Sequence, residues 1–346
     1  MLPCRGGEAC VPLVTIKVTV YSTKCYTYSP PPLSGMPHTS GLPSKAGVLA
    51  SVDAPNVANL KRAGAIPLGV TNTPELCMWS ESHNRLYGLT RNPYSLDRTP
   101  GGSSGKYIVS NGGQLPPCSD LLPMLKIMAG PNAFPCLNLW DLKKLRFLLC
   151  FLMMEEALYT SPVDKQLIQA QRQTLGSDVQ ELRLPELKYG HPIWELFMGL
   201  PDKDGKPPQP FSELMAEGGS TVWPPWELVK WMLGRILTYY GMAHFGKPSQ
   251  FLLQQKEALE RRLEELLGTD GVLLHHHPLF RPFNFAYTGI FNILGLPITQ
   301  CPLGLSQEGL PLGVQVVAWK LQDRLTLATA LYLEKAFGGW RDPGDP

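Results

Sequence analysis

From Gly271 to Phe337, apolar runs of strand length alternate with amphipathic runs of helix length, and this alternation confines the chain to an α/β fold. Gly271 to Leu274 predicts a strand, Phe283 to Leu294 a helix and Pro297 to Leu303 a second strand. The Gly309-Leu310-Pro311-Leu312-Gly313 turn leads into a strand over Val314 to Ala318. Asp323 predicts the cap of a closing helix that runs to Phe337 before Gly338-Gly339. Earlier stretches follow the same rule. Asp53 is the expected cap of a helix with Val57 and Leu60 on one face and Gly64 at its close, and Ala65 to Val70 reads as a short buried strand. Further helices are expected over Leu121 to Ala129, Val163 to Thr174 and Trp226 to Tyr240, with a strand over Phe147 to Met154. A helix capped by Ser249 carries Leu252, Leu259, Leu263 and Leu266 on its buried stripe, ends at Gly268 and pairs Glu257 with Arg261 on its wet face. Residues 199–224, rich in Gly, Pro and Trp, read as a surface excursion.

Composition narrows the class. At 346 residues with 44% apolar and 17% charged content, the chain has ample material for a core. A net charge of +2 without a basic stripe argues against a nucleic-acid partner. Eight cysteines show no C-x-x-C spacing, and no signal-peptide pattern is seen, so a reducing, intracellular setting is expected, either cytoplasmic or at the edge of a lipid surface. The longest apolar run, Phe147 to Met154, is too short to span a bilayer.

The most chemically suggestive stretch is Asp97-Arg98-Thr99-Pro100-Gly101-Gly102-Ser103-Ser104-Gly105-Lys106. Two hydroxyls flanked by glycines make a loop whose backbone can approach a ligand closely. As a phosphate loop it fails, because Pro100 stands at the first glycine and Tyr107 replaces the metal-binding hydroxyl. Gly101 to Gly105 satisfies G-x-S-x-G, but the preceding Tyr94 to Pro100 is polar where a nucleophile elbow needs a buried strand. An ordinary Gly/Ser surface loop remains open for the pentapeptide alone.

Several blocks taken together resemble the amidase signature family, in its fatty-amide-cleaving branch. They are Gly35-Met36-Pro37, Gly64 to Asn72 with Glu75-Leu76-Cys77-Met78-Trp79, Arg91-Asn92-Pro93-Tyr94, Gly101 to Gly105, Arg281 to Phe285, Gly295-Leu296-Pro297, Cys301 to Gly304, and Gly309 to Gln315. The resemblance covers most of the chain from residue 34. It implies an α/β single domain over 34–340, a mixed twisted sheet flanked by helices, with an atypical segment at 1–33 and a tail at 341–346. It also implies amide hydrolysis by a Ser–Ser–Lys triad. In that pattern Ser103 matches the serine that relays a proton between lysine and nucleophile, and Lys17 matches the lysine. Ser104 would support the loop, with Cys77 and Met78 near the acyl chain. Such a relay suits an amide, which needs an activated nucleophile and then an acid for its poor leaving amine.

The chain also departs from the family. The second family motif, G-[ST]-D-x-G-G-S, supplies the nucleophile and the oxyanion-hole N–H groups, and no such segment occurs here. The sequence passes from Gly105 almost directly to Cys118-Ser119-Asp120, and Ser110-Asn111-Gly112-Gly113 lacks the following serine. The Pro-rich stretch before Gly35 makes Lys17 lie further from that block than the family pattern has it. Part of the central sheet is therefore expected to be missing, with apolar helix faces left uncovered. Loss of one oxyanion donor alone costs ~10²–10³ in rate, so family-speed hydrolysis is not expected. Three readings stay open: a catalytically impaired amidase relative, a residual hydrolase using Ser103 with Lys17, and a lipid-binding protein without turnover. The partners implied are long-chain fatty amides, with peripheral association to a membrane or lipid droplet. No cofactor is expected and no metal, because His275-His276-His277 on an extended chain point to alternate faces. Glu155-Glu156 read as the solvated end of a strand, and Trp223, Trp226 and Trp231 as core or pocket wall.

Overall fold

The computed structural model describes residues 32–67, 69–75, 81–100, 118–130, 146–150, 179–182, 184–198, 200, 204–205, 248–275 and 286–343. The chain divides into two compact units, Met1–Leu137 with Asp342–Pro346, and Asn138–Arg341.

In the first unit, helix α1 spans Pro55–Arg62 and buries Val57 and Leu60, the two residues whose spacing predicts its inner face. Its N-cap is Ala54, not Asp53, and no side chain caps it. The Asp53 carboxylate is engaged elsewhere: it accepts from Lys61 Nζ at 2.8 Å and from the Ser34 N–H at 2.8 Å. A charge-assisted bond to lysine outcompetes a helix N–H for the same oxygens. A small hairpin follows, β1 over His83–Asn84 and β2 over Gly88–Leu89, paired antiparallel. Helix α2, Cys118–Ala129, starts three residues before the expected Leu121 and meets α1 where Asn59 Nδ2 donates to the Met128 carbonyl at 2.9 Å. Although α2 is rich in Leu, Met and Ile, its one buried residue is Cys118. The described residues of the strand expected over Ala65 to Val70 are not in a strand, and Leu68 lies outside them. Ile66 is 56% exposed and Val70 40%, and no ladder partner exists for them among the described residues.

The second unit is built on a five-stranded mixed sheet of strands β3 (Arg146–Cys150), β4 (Val179–Leu182), β5 (Gly271–His275), β6 (Ile298–Leu305) and β7 (Pro311–Ala318), in the order β4-β3-β5-β7-β6. β3 is parallel to both β4 and β5, whereas β7 is antiparallel to β5 and to β6. β6 forms an edge of this sheet and tolerates Pro302, which has no N–H for a ladder. The register slips between Pro302 and Leu305, where Gly304 takes φ +89°. The hairpin loop is closed by Ser306, whose Oγ accepts from the N–H groups of Glu308 and Leu310, both at 3.2 Å.

Helices α3 (Gly190–Met198), α4 (Pro248–Leu267) and α5 (Ala286–Leu294) enclose one apolar core with the sheet, and α6 (Asp323–Phe337) covers β6 and β7. The core joins Leu148, Leu273 and Val317 of the sheet to Ile193, Leu259, Leu263, Ile290 and Phe291 of the helices. Across the sheet, Thr299 Oγ1 donates to Thr326 Oγ1 at 2.8 Å and Cys301 Sγ meets the Ala330 carbonyl at 3.5 Å, so alternate residues of β6 face α6. Of the expected stripe, Leu252, Leu259 and Leu263 are buried in α4 while Leu266 is half-buried and Leu267 is buried instead, and Gly268 follows its last turn. Ser249 is the second residue of α4 and not its cap. The i,i+4 ion pair drawn on this helix is Lys256 with Glu260 at 2.9 Å, one residue before the expected pair. Helix α6 ends as its sequence requires, with Gly338 in the left-handed region at φ +79°. The expected helices over Val163 to Thr174 and Trp226 to Tyr240, and Trp223, Trp226, Trp231, Glu155 and Glu156, lie outside the described residues.

Two expectations follow from this packing. The Cβ of any residue replacing Gly289 in α5 would lie 2.6 Å from Trp194 Cδ1 of α3. Gly289→Ala is therefore expected to destabilise the second unit by ~1–3 kcal/mol in denaturant melts, because the helices cannot separate without opening the core. Arg146 and Asp270, 124 residues apart, close β3 onto the start of β5 through Nε–Oδ2 and Nη2–Oδ1 bonds of 3.0 and 2.7 Å. These bonds hold the Asp270 carboxyl below the usual carboxylate range, so the stabilisation is present above the unfolded-state pKa and lost as pH falls through the folded one. With the two side chains 49% and 39% exposed, the effect is below about 1 kcal/mol. Asp270→Asn is expected to lower the urea midpoint slightly at neutral pH and to match the parent chain once the pH is below the lowered folded-state pKa of Asp270.

Candidate active site

The five residues that the sequence pattern nominates, Lys17, Cys77, Met78, Ser103 and Ser104, lie outside the described residues. The described chain on either side of the 76–80 segment and leading up to residue 101 is a polar scaffold in the first unit, held by hydrogen bonds.

Its centre is a pair of asparagines. Asn84 is 1% exposed and uses every polar atom of its amide. Nδ2 donates to Asn72 Oδ1 and to the Thr73 carbonyl, the latter at 2.7 Å. Oδ1 accepts from the N–H groups of Leu86 at 3.0 Å and Tyr87 at 2.7 Å, which builds the turn between β1 and β2. Asn72 Nδ2 reaches the Gly88 carbonyl at 3.0 Å and Thr90 Oγ1 at 3.1 Å, and Asn72 Oδ1 also accepts the Thr73 N–H at 3.1 Å. This segment forms no regular ladder of its own, so its backbone groups find partners through the amides. Glu75, two residues before Cys77, is held by Arg85, whose Nε donates to both carboxylate oxygens at 2.9 and 3.1 Å. Both members of this pair are partly buried, with side chains 25% and 13% exposed. The chain enters and leaves the 76–80 segment through these two fixed points.

The approach to Ser103 is held in the same manner. Arg91 Nη1 donates to the Leu96 carbonyl at 2.8 Å, and Asn92 Nδ2 to the Thr99 carbonyl at 3.2 Å. Asn92 Oδ1 accepts the Tyr94 N–H at 2.9 Å, so the Asn92-Pro93-Tyr94 block is a side-chain-closed turn. Ser95 Oγ bonds to Asp97 Oδ1, and this bond with backbone help keeps the exposed Asp97 carboxyl below its ordinary range. Pro100 is buried immediately before Gly101. His38, in the Gly35-Met36-Pro37 block, titrates below the usual imidazole range because of burial and then the nearby Lys45, and is neutral at physiological pH. No group of three or more His, Cys, Asp or Glu side chains among the described residues is placed to hold a metal ion.

Reading the sequence alone misses Asn84, Arg85 and the role of Asn72. The available signal is weak: polar residues inside otherwise apolar blocks, with partners ten to twelve positions away and no periodicity to connect them.

Comparison with known proteins identifies the scaffold. A family model described as Amidase matches residues 32–105. Fatty-acid amide hydrolase 2-B of Danio rerio is 52% identical over 396 residues, covering 90% of this chain and 74% of that protein. The human fatty-acid amide hydrolase 2 is 39% identical over 407 residues, again 90% of this chain and 74% of the relative. The chain belongs to the amidase signature family. The fold agrees: the crystal structure of an amidase superposes with a TM-score of 0.62 at 20% identity, covering 89% of this chain and 83% of that one. A solved fatty acid amide hydrolase gives a TM-score of 0.65 at 16% identity over 90% of this chain and 72% of that one. The mixed sheet flanked by helices is thus the fold that the sequence pattern implies.

Within this amidase scaffold, Asn84→Ala removes the partner of the Leu86 and Tyr87 N–H groups and of the Thr73 carbonyl, and leaves Asn72 Oδ1 with the Thr73 N–H. It is expected to cost ~2–4 kcal/mol and to abolish amide-exchange protection across residues 82–90, whereas Arg85→Lys, which keeps the charge, costs less.

Proposed function

We propose that this chain is a shortened fatty-acid amide hydrolase 2-like protein that binds long-chain fatty amides but hydrolyses them poorly. The observation that carries this reading is one of length. The alignment with the Danio rerio 2-B protein runs over 396 positions, more than the 346 residues of the entire chain. That relative therefore has residues inside the matched span that are absent here. The family-model match ends at Gly105, in the Gly/Ser loop, and no G-[ST]-D-x-G-G-S segment follows.

Packing in the first unit supports the same reading. Leu49 is 57% exposed and Val52 64%, in addition to Ile66 and Val70, while α2 keeps its Leu, Met and Ile side chains at least partly in solvent. Apolar side chains of this kind are covered when the sheet neighbours of a full-length fold are present. In this reading residues 34–340 are one domain with internal deletions, Ser103 is the surviving relay serine and Lys17 its lysine. Cys77 and Met78 lie on the acyl side, and Ser104 supports the loop. With the nucleophile and oxyanion donors both lacking, a proton relay has nothing to activate, and binding outlasts turnover. Among the described residues no helix is long and apolar enough to cross a membrane. Fatty amides partition into lipid, so the ligand is collected at a membrane or lipid-droplet surface.

Fluorophosphonate labelling followed by peptide mapping tests the catalytic half, and titration with a long-chain primary amide tests the binding half. The expected result is no label on Ser103 together with saturable amide binding. Stoichiometric labelling of Ser103 that Lys17→Ala abolishes would replace this reading with that of a residual serine hydrolase.

A further inference from the structure

In β7, Gln315 Oε1 is buried and has no hydrogen-bond partner among the described residues. A buried amide oxygen in that state calls for a donor from beyond the described residues.

Strand alternation defines which way it faces. Thr299 and Cys301 of β6 bond to α6 through Thr326 and Ala330, so Gln300 between them faces the opposite side of the sheet. Gln300 is the ladder partner of Gln315, and Gln315 stands two residues from Val317, a member of the core formed with α3, α4 and α5. The two glutamines therefore share one face, a single pleat beyond the apolar core. Gln300 on the outer strand is exposed, and Gln315 Oε1 lies covered beside it. Gly313 shapes the same surface. A Cβ there would sit 2.5 Å from Gln300 Nε2, so a larger residue would displace that amide.

The pair is also level with the carboxyl ends of the parallel strands. β5 ends at His275, whose ladder partner is Gln315, and the parallel strands β3 and β5 both finish at this level. In open α/β sheets, ligands bind outside the carboxyl ends of the parallel strands.

We infer that Gln300 and Gln315 form a shelf that recognises a carboxamide group by its N–H. Gln315 Oε1 accepts a hydrogen bond from the ligand nitrogen, and the Gln300 amide, carrying both a donor and an acceptor, meets the ligand carbonyl. A carboxylate has no proton for Gln315, and a tertiary amide has none either, so primary and secondary amides are selected over both. The inference rests on the reading that this chain binds fatty amides and assigns the headgroup determinant of that binding.

The test is calorimetric titration of the full chain with a long-chain primary amide and with its N,N-dimethyl counterpart, for the parent, Gln315→Met and Gln315→Glu. The parent is expected to prefer the primary amide by about tenfold, the worth of one hydrogen bond to a buried acceptor. Gln315→Met, of similar volume, is expected to erase that preference without weakening the dimethyl amide, and Gln315→Glu, which keeps an acceptor, to retain it. Thermal melts check that both variants fold; should Gln315→Met not fold, the parent ratio and the Gln315→Glu ratio decide. Equal affinity of the parent for the two amides overturns this inference alone, as does a preference that survives in Gln315→Met. Failure of the parent to bind either amide overturns both this inference and the proposed function.

Discussion

The complete burial of β5 is the constraint on which the second unit depends. Val272, Leu273 and Leu274 have no exposed surface, although consecutive strand residues face opposite sides. A strand of that kind needs a helical layer on each face and a partner on each edge. The helices α3, α4 and α5 supply one layer and α6 the other, while β3 and β7 supply the edges. Because β3 arrives parallel and β7 antiparallel, the sheet is mixed, and the junction of the two pairings falls on β5 itself. The Arg146–Asp270 pair and the bond from the Arg146 N–H to the Asp270 carbonyl, at 3.0 Å, fix the end of that junction.

The first unit is held by a different kind of force. Its described part contains two short helices' worth of apolar contact, α1 against α2, and a two-stranded hairpin that could not stand alone. What makes the stretch from Asn72 to Pro100 definite is side-chain amide to backbone bonding, through Asn72, Asn84 and Asn92. Each of these asparagines replaces ladder bonds that the local backbone does not make. Such a network has little tolerance for partial loss, because each amide satisfies several groups at once. It anchors the chain on both sides of the segment that carries Cys77 and Met78 and on the approach to Ser103.

Under the proposed function, this division bears on how a family fold can outlast its chemistry. The sheet, its helices and the asparagine scaffold are each self-consistent in the shortened chain. None of them needs the segment in which the family's nucleophile resides. Under the proposed function, the Gly/Ser loop is half of a catalytic apparatus on an intact support, and ligand recognition persists where bond cleavage does not. The shelf of Gln300 and Gln315 belongs to the intact half.

How far the residues alone disclose this protein depends on the range of the forces involved. Periodicity is local, so α1, α4, α6 and the strands β5, β6 and β7 are legible to within a few residues, as is the Gly338 terminus of α6. The blocks from Gly35 to Gly105 and from Gly295 to Gln315 are enough to determine the family. Errors arise where a distant partner decides. Asp53 forgoes the helix cap because Lys61 and Ser34 compete for it, and Ala65 to Val70 has strand-like residues but no neighbour to pair with among the described residues. The sequence by itself determined which segments become helix or strand, the lineage, and the absence of the nucleophile motif. Only the tertiary structure decided the strand order, the amide network around Asn84 and the buried, unpartnered oxygen of Gln315. Those depend on residues tens of positions apart meeting in space, and pairing of that range leaves no local pattern to read.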